Sequence, residues 1–89
     1  MAGSGFYVTA AGFHSMCTPK NPSDVRAGDL VFLTGKKGEI THVEVATAEA
    51  VNNLIPIVDA SGKSNAGEVH YRTQRIDGHV LVGTPPFYA

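Results

Sequence analysis

A single cysteine, Cys17, stands among 89 residues, so the chain cannot close an internal disulfide. There is no tryptophan, and no apolar run approaches the roughly 20 residues that a membrane-spanning helix needs. Charge is scarce and balanced. Charged residues make up 17% of the chain and the net charge is −1, so the basic footprint of a nucleic-acid binder is missing. The one lysine pair, Lys36-Lys37, reads as the solvated tip of a turn. The first residues show no basic region followed by an apolar core, so no signal peptide is expected there. A protein of this sequence working outside the cytoplasm would need an export signal that has been removed or lies elsewhere. Internal repeats and low-complexity tracts are absent as well.

What is present is enough for one globular domain, residues 1–89. Apolar residues reach 43%, which argues against disorder. A chain of this size buries roughly two-thirds of its unfolded surface, a modest margin.

The most informative stretch runs from Arg26 to Ser61. Leu30 to Thr34 is a continuous apolar run of strand formers and predicts a buried strand. Gly35-Lys36-Lys37-Gly38 predicts a hairpin turn, and Ile40 to Ala46 the next strand. A period of two puts Ile40, His42 and Glu44 on one face of it and Thr41, Val43 and Val45 on the other. The more apolar second set is expected to face the core, with His42 and Glu44 towards a cleft or solvent. Asn52-Asn53 is a turn signal. Leu54 to Ala60 predicts a third strand, and Pro56 suggests that it lies at an edge or carries a bulge.

Outside this stretch, Ser4 to Ala11 predicts a short helix, capped by Ser4 at its start and Gly12 at its end. Phe13 to Ala27, with Pro19 and Pro22, reads as connection. Residues 61–67 read as a loop. Glu68 to Ile76 alternates, with Val69, Tyr71 and Thr73 on one face and His70, Arg72 and Gln74 on the other. Asp77-Gly78 is a turn and His79 to Gly83 a final strand. The sum is an α+β domain, one short N-terminal helix on an antiparallel sheet of about five strands, curled towards a barrel. A strand with Pro56 at an edge would allow a homo-oligomer or a strand-swapped dimer.

His42 and Asp59 are the candidate catalytic residues. A histidine beside an acid on the next strand is a common way to build a base and its orienter. On spacing alone, His42 reads first as a polar residue on an exposed strand face, and Asp59 nearly as well as a strand-end turn residue before Ser61-Gly62. Cys17 lies in a proline-flanked connection with no helix N-terminus to lower its pKa, so it reads as an incidental thiol. His14 and Cys17 stand three apart, but no zinc-ligand spacing repeats, so neither a metal site nor a cofactor is expected.

Three pieces of the chain, in this order and spacing, resemble the NlpC-type cell-wall peptidases, relatives of papain in fold. They are Gly28-Asp29-Leu30-Val31-Phe32, Thr41-His42-Val43 and Val58-Asp59-Ala60-Ser61. The resemblance covers about the C-terminal two-thirds. It implies a papain-like fold and hydrolysis of amide bonds in peptidoglycan stem peptides by a cysteine nucleophile, without metal or cofactor. It also implies a cell-envelope or extracellular setting, His42 as base and Asp59 as orienter, where the family usually has a neutral group. The family's nucleophile sits in Asp-Cys-Ser-Gly-Phe. Here the chain reads Ala2-Gly3-Ser4-Gly5-Phe6, with glycine at the cysteine position, as in a truncated or inactive copy. Glu44 stands where the family often has a small residue. Together with Ser4 and Tyr71 it is a candidate for contact with the wall peptide. A copy that binds without cleaving, or that completes its site with another chain, and a small β-barrel interaction module are the remaining readings.

Overall fold

The computed structural model describes residues 10–60 and 69–86. The elements follow in the order α1 (Ala10–Met16), β1 (Thr18–Lys20), a 3-10 turn (Pro22–Asp24), β2 (Leu30–Thr34), β3 (Ile40–Ala46), β4 (Leu54–Ala60), β5 (Val69–Arg75) and β6 (Val80–Thr84). Six strands form one antiparallel sheet, ordered β1-β6-β2-β3-β4-β5. The sheet is open: β1 and β5 are its edges, and no pairing joins them among the described residues. The coarse α+β expectation therefore holds.

Turn chemistry fixes the strand order. Gly38 takes φ 82° in the β2–β3 hairpin, a conformation that glycine adopts at no steric cost. Asn52 and Asn53 take φ 54° and 66°, the paired positive values of a tight hairpin turn between Val51 and Leu54. Asp77 caps the last turn, its Oδ1 accepting from the His79 N–H at 2.8 Å.

The Gly28-Asp29 pair ties three strands together. Gly28 takes φ 94°, and its N–H donates to Ala46 O at 2.8 Å. Asp29 is buried. Its Oδ2 accepts from Lys20 Nζ on β1 at 2.7 Å and from the Arg26 N–H at 2.9 Å, while Oδ1 accepts from Thr84 Oγ1 on β6 at 3.0 Å. Burial alone would push this carboxyl up. The bonds from Lys20, Arg26 and Thr84, with the lysine charge, outweigh it and hold the pKa below the usual carboxylate value.

Register divides the side chains into two faces. Val31, Leu33, Glu44, Ala46, Ile55, Ile57, Val80 and Val82 share one face, and Val25, Ala50 and Ile76 pack against it. Each fully buried Ile or Val there contributes about 1.5–3 kcal/mol. Leu30, Phe32, Val45 and Leu81 point to the other face. On that side His14 of α1 meets the buried Phe32 ring edge-on at 5.0 Å, and Cys17 lies against Gly83.

Four sequence expectations need correction. Gly12 lies inside α1 rather than ending it, since the helix continues to Met16 with Ser15 Oγ bonded to Gly12 O at 2.8 Å. Packing of His14 on Phe32 outweighs the weak helix propensity of glycine. The expected helix residues Ser4 to Thr9 lie outside the described residues, as does the loop at 61–67. Thr18–Lys20, read as connection, is a short edge strand, where Pro19 is tolerated. β4 is interior, between β3 and β5. Pro56 fits because its carbonyl accepts from the Thr47 N–H beyond the last β3–β4 pair, so its missing donor falls where that ladder has ended. Finally, the faces of β3 are exchanged. Glu44 and Ala46 are buried at 1% exposure each, whereas Val45 is 40% exposed. The alternation along β3 follows the sequence pattern, but the more apolar set is not the buried one, because Glu44 is buried in an ion pair with Arg72.

Candidate functional site

Strand pairing brings four ionisable side chains to one end of the core face. β3 contributes His42 and Glu44, β4 contributes Asp59, and β5 contributes Arg72. His70, opposite Asp59 in the register, completes an open hollow of about 270 Å³ lined by His42, Asp59, His70 and Arg72.

His42 Nε2 lies 3.1 Å from Asp59 Oδ2, within hydrogen-bond range. The His42 contact, and then the Arg72 guanidinium, hold the Asp59 carboxyl below its ordinary pKa against the effect of burial. An ionised carboxylate only accepts, so His42 donates from Nε2–H and keeps its lone pair on Nδ1. The ring is part-exposed. This is the arrangement of an oriented imidazole ready to take a proton at Nδ1.

Arg72 bridges the two acids through one nitrogen. Nη2 donates to Asp59 Oδ2 at 2.6 Å and to Glu44 Oε2 at 2.9 Å. Glu44 Oε2 is also 3.9 Å from His42 Nε2. Burial pushes the Glu44 carboxyl up, with Arg72 opposing. Its second oxygen, Oε1, is buried and has no hydrogen-bond partner among the described residues. Such an unsatisfied group costs on the order of 1–3 kcal/mol.

The structure thus brings His42, Glu44 and Asp59 together, though Glu44 is not solvated as one reading of the sequence had it. Tyr71 is elsewhere: it is 79% exposed and pairs with Val58 on the opposite face, so it does not line the hollow. Ser4 lies outside the described residues. Arg72 was the residue the sequence did not single out. Its signal was available in the alternation of β5, which puts His70 and Arg72 on one face, but only the pairing of β5 with β4 shows that this face meets Asp59. Spacing along the chain does not reveal that His42, Glu44 and Asp59 offer ligand atoms within 4.8 Å of one another, because strand pairing brings them together. The described part of α1 and Cys17 are on the other side of the sheet. Burial, and then the Asp29 charge, push the Cys17 thiol up, so its thiolate is disfavoured.

No helix of the described residues is long and apolar enough to cross a membrane. No protein-family model, curated protein or solved structure matches this chain.

Proposed function

We propose that this is an NlpC-like domain of papain-like design, in which His42 and Asp59 hold the places of the general base and its orienter in peptidases that hydrolyse amide bonds of peptidoglycan stem peptides. The observation that carries the reading is the 3.1 Å contact between His42 Nε2 and Asp59 Oδ2, which leaves Nδ1 free for a thiol proton. It sits in the sequence context, Thr41-His42-Val43 and Val58-Asp59-Ala60, that carries the resemblance. With glycine at position 3, the chain lacks the sulfur for the covalent step, and it binds wall peptides without cleaving them. Arg72, half-exposed at the hollow, offers N–H donors to a peptide carbonyl or carboxylate.

The test is titration of the unaltered chain with a purified muropeptide, followed by NMR. Saturable shifts of the His42, His70 and Arg72 side chains are expected, and His42→Ala should weaken binding. Shifts confined to the Tyr71 face, or none at millimolar peptide, would contradict the proposal. One observation favours a second reading, a small interaction module: the described part of α1 packs on the sheet face away from His42. That reading predicts no muropeptide binding and an unchanged fold in His42→Ala.

A further inference from the structure

We propose that His42, Glu44 and Asp59 form a site for a divalent transition-metal cation of the zinc class, which the Arg72 guanidinium and the metal occupy in alternation. The proposal does not rest on the peptidase reading.

The donor set is the first reason. Zinc binds imidazole nitrogen and carboxylate oxygen at about 2.0–2.2 Å, so neighbouring ligand atoms of a tetrahedral site stand roughly 3.4 Å apart. His42 Nε2 is 3.1 Å from Asp59 Oδ2 and 3.9 Å from Glu44 Oε2, on either side of this separation, and the three residues offer ligand atoms that all lie within 4.8 Å of one another. One nitrogen with two carboxylates suits zinc better than calcium or magnesium, which prefer six or more oxygen ligands.

The second reason is Glu44 Oε1. It is a buried carboxylate oxygen with no hydrogen-bond partner among the described residues, on a side chain 0% exposed, in the same residue whose Oε2 faces His42 and Arg72. Arg72 serves the site poorly. A guanidinium usually engages carboxylates through two nitrogens, but here Nη2 alone spans both acids and leaves Oε1 unmet. Its single charge also faces two carboxylates, where a divalent cation would match both.

The third reason is access. The Arg72 side chain is 54% exposed, so its long stem can carry the guanidinium into solvent. The hollow beside it leaves room for a water as a fourth ligand. On metal binding the neutral His42 ring changes tautomer: its proton moves from Nε2 to Nδ1, and the Nε2 lone pair becomes the ligand in place of the bond to Asp59.

The experiment is calorimetric titration of the full chain with zinc chloride in metal-free buffer, with 15N NMR of the imidazoles. Expected are one zinc per chain and a zinc-dependent shift at His42 Nε2. His42→Ala and Asp59→Asn should abolish the binding. Arg72→Gln, which removes the competing cation, should tighten it by about tenfold or more. Arg75→Gln makes the same charge change on the opposite face of β5 and should alter it less than threefold. Four results would overturn the proposal: no binding at millimolar zinc, a response at His14 or His79 instead of His42, affinity retained in His42→Ala, or equal effects of Arg72→Gln and Arg75→Gln. If a variant does not fold, the imidazole shifts of the unaltered chain decide alone.

Discussion

Replacing Asp29 should separate the charge of this residue from its shape. In Asp29→Asn the amide oxygen can still accept from Lys20 Nζ and the Arg26 N–H, and the amide nitrogen can donate to the Thr84 hydroxyl, which rotates to accept. What is lost is the ion pair, part-shielded from water, and the extra strength of charge-assisted bonds, together roughly 1–2 kcal/mol. Asp29→Ala removes every acceptor and leaves Lys20 and the Arg26 N–H unmet, a cost of roughly 3–5 kcal/mol. Against a total of about 4–13 kcal/mol for a domain of this length, the alanine variant should be marginal or unfolded. Urea denaturation followed by circular dichroism measures both. The dependence on pH has a definite sign. The folded-state pKa of Asp29 lies below its unfolded value of about 3.9, so its contribution is present above that pH and lost as pH falls through the folded value. The gap in stability between the parent and Asp29→Asn should therefore be full near neutral pH and close as pH falls below the unfolded value and on through the folded one. Equal costs for the two variants, or a gap that does not change with pH, would refute the assignment of Asp29 as an ionised tie between β1, β2 and β6.

Two further outcomes concern the opposite face. A Cβ at Gly83 would lie 2.6 Å from Cys17 Cβ, so Gly83→Ala should destabilise by roughly 1–3 kcal/mol and lower the melting temperature by at least about 4 °C, where an open strand position would gain from the same change. Calorimetry reads the sign directly. Cys17 is buried with its pKa pushed up, so iodoacetamide should label it slowly in the native protein and rapidly in urea, while leaving muropeptide binding unchanged at partial labelling. Fast native labelling would contradict its placement against Gly83.

The five longer strands were legible because their signals are local. Apolar runs marked β2 and β4, alternation marked β5, and Gly35–Gly38, Asn52-Asn53 and Asp77-Gly78 announced the turns between them. The His42–Asp59 pair was legible for the same reason, since both lie in short patterns of fixed order. What failed to show was decided across strands. Thr18–Lys20 is a strand only because β6 offers it an edge. Pro56 sits in an interior strand because the β3–β4 ladder has stopped where its N–H would be needed. Glu44 could not be assigned to the buried face without Arg72, which lies 28 residues away in sequence and reaches it only through the pairing of β4 with β5. A single sequence carries no marker of that partnership.

On the proposed reading, His42 and Asp59 form a working base and orienter that lack only a sulfur. The direct measurement is muropeptide turnover by Ala2→Asp/Gly3→Cys beside the unaltered chain and beside the same double replacement carrying His42→Ala. Cleavage by the double replacement alone is expected. Turnover by the unaltered chain that His42→Ala abolishes, or a folded double replacement that binds muropeptide and never cleaves it, would contradict that account.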